Sequence, residues 1–180
     1  MLYAAVDLGG SSGRVTVGQL TGDKIVLTEV HRFKHEPVQN NDGLFWDWQF
    51  IIQQIKTGLL AATKLGQVVS VGVDSWAVDY GLIDKDGDVI GQPHCYRDGR
   101  TDGVMAKLKQ DLGVDYIYGK TGIQFIFFNT MYQLFVEKDT AAYQRADKFL
   151  MVPDLINYLL CGSISTEITN ASTTQLLNVY

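Results

Sequence analysis

The chain has 180 residues, of which 46% are hydrophobic, and a formal net charge of −5. That length and apolar content suffice for one buried core, while the acidic balance and the lack of a basic stripe argue against a nucleic-acid partner. No charged-then-apolar leader stands at the start and no apolar run approaches the roughly 20 residues of a membrane span, so no membrane partner is expected and the cytoplasm is the expected compartment.

The first element is an apolar run over residues 2–6, followed by Asp7-Leu8-Gly9-Gly10-Ser11-Ser12-Gly13-Arg14 and then by alternation at Val15 and Val17. Two strand-like segments around a short polar, glycine-rich link predict a β-hairpin with a widened tip. Gly9, Gly10 and Gly13 would allow positive φ and close approach of a ligand, and the hydroxyls of Ser11 and Ser12 with nearby N–H groups would face one anion. The period after Arg14 is two, so a strand follows where a P-loop or a dinucleotide fingerprint would open a helix. Asp7 would repel phosphate unless Mg²⁺ lay between them, which makes Asp7 the expected metal contact and Arg14 its cationic counterpart. An ordinary glycine-rich hairpin fits the same local pattern equally well.

A third strand is expected over 25–33, a polar loop over 36–43, and then a helix capped by Asp47 with Ile51, Ile55, Leu59, Ala62 and Leu65 inside, ending at Gly66. Phe45, Trp46 and Trp48 read as packing groups. A short buried strand over 68–73 leads to Asp74, Trp76 and Asp79, whose carboxylates and indole are suited to a polyol, although turn capping and core packing account for them too. A hairpin turns at residues 84–87. Tyr96-Arg97-Asp98-Gly99-Arg100-Thr101 is expected to end a strand and start a helix through Val104, Met105 and Leu108, with its two arginines in a structural ion-pair set. Beyond Val114 the pattern is mostly helical: Asn129 or Thr130 would cap one helix, and Pro153 would open another that Gly162 closes. Residues 125–128 read as core. Cys95 and Cys161 lack metal-ligand spacing and read as reduced packing residues, and His31, His35 and His94 receive no catalytic role. The run Leu176, Leu177, Val179, Tyr180 reads as the start of a further element, so the chain is expected to be part of a longer domain.

D-x-G-x-S-S-G-R after an N-terminal strand resembles the first phosphate loop of the actin-like sugar kinases, and within them the FGGY carbohydrate kinases. E-V-H-R-F (29–33), V-D-S-W-A-V-D-Y (73–80), Y-R-D-G-R-T (96–101), T-G-I-Q-F (121–125), F-N-T-M-Y-Q-L (128–134), M-V-P-D (151–154) and T-N-A-S-T-T-Q-L (169–176) continue the match in order. The resemblance implies an α/β, ribonuclease-H-like (actin-like ATPase) domain with a mixed sheet flanked by helices, incomplete as given, so that residues 1–180 are the N-terminal part of FGGY kinase domain I. It implies ATP and Mg²⁺ as cofactors and a sugar as substrate, L-rhamnulose being the one expected, with xylulose, fuculose or glycerol, or a non-catalytic binding module, as alternatives. Gly9, Gly10, Ser11, Ser12, Gly13, Arg14 and Asp7 would hold the nucleotide. Asp74, Trp76, Ala77 and Asn129 would contact the sugar, some family members having glycine at the position of Ala77. The family's proton-accepting aspartate has no counterpart here, so no catalytic base is assigned. Open sheet edges and apolar faces are expected to favour a homodimer.

Overall fold

Residues 2–8 alternate buried and open side chains along almost their whole length, the period of a half-buried strand. In the computed structural model, which describes residues 1–180, they form β1 (Leu2–Leu8). The other strands are β2 (Ser12–Thr21), β3 (Lys24–Lys34), β4 (Pro37–Asn40), β5 (Gly43–Trp46), β6 (Val68–Ser75), β7 (Tyr80–Asp84), β8 (Val89–Ile90) and β9 (Ala146–Met151). The helices are α1 (Trp48–Thr63), α2 (Val104–Leu112), α3 (Val114–Thr121), α4 (Thr130–Glu137), α5 (Ala141–Arg145), α6 (Val152–Cys161) and α7 (Ile168–Ser172). Contacts divide the chain into one unit of residues 1–37 and 47–76 and another of residues 38–46 and 77–180. No helix is long and apolar enough to cross a membrane.

The first unit is a four-stranded sheet in the order β3-β2-β1-β6 with α1 on one face. β1 and β2, and β2 and β3, are antiparallel, whereas β6 runs parallel to β1. Leu2, Ala4, Val6, Leu8, Val15 and Val17 form the inner face, and α1 buries Ile51, Ile55 and Ala62. Each large apolar side chain hidden there contributes about 1.5–3 kcal/mol. Gly58 sets the close approach of helix and sheet, since a Cβ on it would stand 2.3 Å from Val15 Cγ2. The Asp47 carboxylate caps α1 as expected, accepting from Phe50 N at 3.1 Å. The helix ends at Thr63, however, and Leu65 is exposed because it lies past the last turn. The expectation of a buried β6 is also corrected: β6 pairs only with β1, so it is a sheet edge with Val69 and Val71 open to solvent.

One irregularity in this sheet matters below. The β2–β3 register steps between Val15, opposite His31, and Thr16, opposite Glu29, leaving Val30 as an extra, bulged residue. Val30 packs with Leu2, Val17 and Ala62. His31 also turns to the α1 side, where its Nε2 lies 2.8 Å from Gln54 Oε1.

The second unit contains the β4–β5 hairpin and an antiparallel sheet in the order β8-β7-β9. Tyr80, Leu82 and Met151 form a core cluster, and Val152, Leu155 and Ile156 of α6 are buried. A Cβ on Gly81 would lie 2.5 Å from Leu155 Cδ2, so the bare backbone admits α6 against β7. Pro153 opens α6 and Gly162, at φ 74°, ends it, as expected. Four expectations fail here. The 36–43 loop contains most of a hairpin; residues 96–101 follow an isolated Phe45–His94 bridge instead of a strand; β9 falls where helix was expected; and Phe127 in the 125–128 run is 45% exposed. Cys95 is buried as expected, but Cys161 is exposed on the last turn of α6.

Candidate phosphate site

The strands of the first hairpin run further than their apolar residues indicate, so Asp7 and Arg14 lie within β1 and β2 and only residues 9–11 form the turn. Asp7 is directly opposite Arg14, whose Nε donates to Asp7 Oδ2 at 2.7 Å. Gly9 N donates to Ser12 O at 2.8 Å, closing the turn, and His35 braces it from behind. The His35 backbone N donates to Ser11 O at 3.1 Å, and its Nε2 lies 2.9 Å from Gly9 O, so that ring nitrogen is the protonated donor.

The expected reason for the glycines is corrected in part. Neither Gly9 nor Gly13 has a positive φ. Gly13 is required by space: a Cβ there would lie 2.4 Å from Phe33 Cζ and 2.6 Å from Leu8 Cδ2. Phe33 cannot simply retreat, because it stacks on His31 and meets Phe50 edge-on.

A cavity of about 250 Å³ opens over this turn, lined by Asp7, Gly9, Ser12, Gly13, Arg14 and Arg32. Arg32 stands opposite Arg14 on β3, and Asp74 stands opposite Asp7 on β6. The strands thus carry a transverse row of Asp74, Asp7, Arg14 and Arg32, two carboxylates followed by two guanidiniums. Glu29 forms an ion pair with Arg32, and this pairing lowers the Glu29 pKa and raises that of Arg32. The donor set fits a polyphosphate: exposed Ser11, half-buried Ser12, a backbone turn and arginine charge on one side. Asp7 could hold Mg²⁺ in company with phosphate oxygens, the usual mode for that ion, and no group of three or more His, Cys, Asp or Glu forms a closed metal cage.

Of the residues expected to meet a sugar, Asp74 and Trp76 belong to the first unit and Ala77 and Asn129 to the second. Asp74 is exposed at the end of β6, and the half-buried Trp76 packs on His35 with ring centroids 5.5 Å apart. Ala77 is half-buried just before Val78, which has a φ of 72°, an outlier for a β-branched residue. Thr130 Oγ1 donates to Val78 O at 2.8 Å and Gln133 Nε2 lies 3.2 Å from the same oxygen. Asn129 is 2% exposed, and its Nδ2 donates to Gln124 O and Gln175 Oε1. Both its amide protons are thus used within the fold, where they tie the start of α4 to residues 124 and 175.

Asp79 is likewise a structural hub. It is fully buried, with Oδ2 accepting from Trp46 Nε1 at 2.7 Å and Tyr96 N at 3.1 Å, and Oδ1 from Gln133 Nε2 at 2.9 Å. Arg100 continues the network to Gln133 Oε1 at 2.7 Å and Glu137 Oε2 at 3.4 Å, and Tyr80 donates its hydroxyl to Glu137. Burial, with Glu137 nearby, holds the Tyr80 pKa far above its ordinary value. Burial also pushes the Cys95 thiol up to about 11, leaving it an unreactive packing group.

A family model described as the N-terminal domain of the FGGY family of carbohydrate kinases matches residues 2–180. The chain belongs to the FGGY family. Over 181 aligned residues it is 47% identical to a rhamnulokinase of Mannheimia succiniciproducens, covering 98% of this chain and 38% of that protein. A Bacillus subtilis rhamnulokinase is 47% identical over 99% of this chain and 37% of its own length. Among solved structures, a ligand-bound xylulose kinase from Lactobacillus acidophilus superposes with a TM-score of 0.86 at 18% identity, over 99% of this chain and 37% of that one. A Plasmodium falciparum glycerol kinase with ADP gives 0.77 at 16% identity, over 99% and 38%. The fold is accordingly the actin-like, ribonuclease-H-like one of the FGGY kinases, and the chain spans little more than a third of the length of these relatives.

Sequence reasoning did not single out Arg32 or His35 in this FGGY chain. Arg32 lies in one of the matched segments and shares the outer face with Arg14, a parity that only the Val30 bulge creates. Nothing local marks His35, whose role depends on the 26-residue span back to Gly9.

Proposed function

We propose that residues 1–180 are the N-terminal part of kinase domain I of an ATP-dependent sugar kinase, that the turn of residues 9–11 takes the polyphosphate of ATP with Mg²⁺ beside Asp7, and that the whole protein phosphorylates L-rhamnulose. The observation that carries the reading is the cavity over the Asp7–Arg14 pair, lined by Gly9, Ser12 and Gly13. The 47% identity to rhamnulokinases supports the choice of sugar. Such a protein works where ATP and sugars meet, in the cytoplasm.

ATP supplies the phosphoryl group, and what this chain contributes is orientation. Backbone N–H groups and the hydroxyls of Ser11 and Ser12 fix phosphate oxygens, and the Arg14 guanidinium offsets charge that grows on them. With Mg²⁺ bound, Asp7 would face the cation, and Arg14, now its ion-pair partner, would be left free to turn toward the phosphate. Asp74, Trp76, Ala77 and Asn129 are the proposed sugar contacts, and no residue of the chain is assigned as base. The exposed edge of β6 favours pairing of two copies, which sedimentation would register as a dimer.

A coupled ADP-release assay on the whole protein tests the reading. L-rhamnulose should give a far higher kcat/KM than xylulose, fuculose or glycerol, and equal turnover of all four would remove the substrate assignment. The 180-residue chain alone should show no turnover.

A further inference from the structure

We infer that Arg32 is a second phosphate ligand of this site, kept in reserve by Glu29 and presented to the cavity by the bulge at Val30. The inference rests on the phosphate-site reading above and adds a residue to it.

Residues three apart in an unbroken strand face opposite sides of a sheet. The bulge cancels that rule between Glu29 and Arg32: Val30 and His31 both turn toward α1, so Glu29 and Arg32 share the outer face with Asp7 and Arg14. Arg32 Nε donates to Glu29 Oε1 at 2.9 Å and Nη2 to Oε2, a two-pronged pairing that holds the fork in place. Arg32 also lines the cavity. Directly opposed arginines repel, and each here has its own carboxylate: Asp7 for Arg14, Glu29 for Arg32. Such a row of two preformed ion pairs is stable without an anion and ready for one. When a polyphosphate enters, both guanidiniums gain a partner of higher charge than the carboxylate they give up. Arg32 stands one strand beyond Arg14, which places it to take the phosphate further from Asp7.

A merely structural ion pair and a reserve ligand make opposite forecasts for Glu29. The test is calorimetric titration of the whole protein with MgATP and, separately, with inorganic tripolyphosphate plus Mg²⁺, with near-ultraviolet circular dichroism confirming the fold of each variant. Arg32→Gln should weaken both ligands about tenfold, Arg32→Lys should recover part of the loss, and Glu29→Gln should tighten binding about threefold by freeing the guanidinium. Lys24→Gln, which changes the net charge equally at the far end of β3, should leave binding unchanged. If Arg32→Gln binds within twofold of the unsubstituted chain while Arg14→Gln is weakened, the inference fails and the phosphate site stands. If Glu29→Gln and Arg32→Gln both weaken binding, the pair is a brace and the inference fails. If the unsubstituted whole protein binds neither probe, the site reading fails and this inference with it.

Discussion

Asp7 and Arg14 face each other across β1 and β2 as directly paired residues, with Arg14 Nε 2.7 Å from Asp7 Oδ2. Both side chains are nearly half exposed, so the pair does little for stability and is available for exchange with a ligand. In the whole protein, Arg14→Ala should lose at least tenfold in affinity for MgATP and little for the sugar, by calorimetry, with the melting temperature changed by no more than about 2 °C. Equal losses for both ligands would count against the assignment.

The glycines of the turn should separate under substitution. Gly13→Ala forces a methyl group into Phe33 and Leu8 and should cost about 1–3 kcal/mol in urea denaturation. Gly9→Ala meets only Ser12 O, at an ordinary 3.5 Å, and should unfold at nearly the same urea concentration as the unsubstituted chain.

The buried hub of the second unit predicts a large loss of stability at Gln133. Gln133→Ala leaves Asp79 Oδ1, the Val78 carbonyl and the Arg100 guanidinium each short of a partner, and should destabilise the chain by about 3 kcal/mol or more. Thr130→Val removes one bond to Val78 O and should cost about 1 kcal/mol. A Gln133→Ala midpoint equal to that of Thr130→Val would contradict the network.

His94 sets a pH dependence. Burial first, and the Arg100 charge second, push its pKa down to about 4 from an ordinary 6.5. As pH falls below 6.5 the unfolded chain takes up this proton before the folded one, so stability that is full above pH 6.5 declines until the pH is below 4. His94→Phe, which keeps a ring against Phe45, should flatten that part of the stability profile. An unchanged slope between pH 6.5 and 4 would show that the decline arises at other groups.

The β1–β2 turn was legible in the sequence because its cues are local: an apolar run, three glycines, two serines and a return to alternation. The Asp47 cap and the Pro153–Gly162 helix were legible for the same reason. Elements fixed by distant partners were not. The strand β9 was missed because Asp147, Lys148 and Phe149 are all exposed and leave no alternation to read, while its hydrogen bonds come from β7, some 65 residues earlier in the chain. Asn129 and Asp79 have the composition of sugar ligands, and only their burial and hydrogen-bond partners show that the fold itself uses them. Arg32 was hidden by a single bulged residue, which changes the side of the sheet without changing any residue type.

The contact of Trp76 with His35 gives the protein an optical handle. Trp46 and Trp48 are buried, whereas Trp76 is half open and rests on the imidazole that reaches the Gly9 carbonyl. A guest that shifts the turn should disturb that ring, so intrinsic ultraviolet emission at this half-open indole should change on titration with MgATP without an added dye.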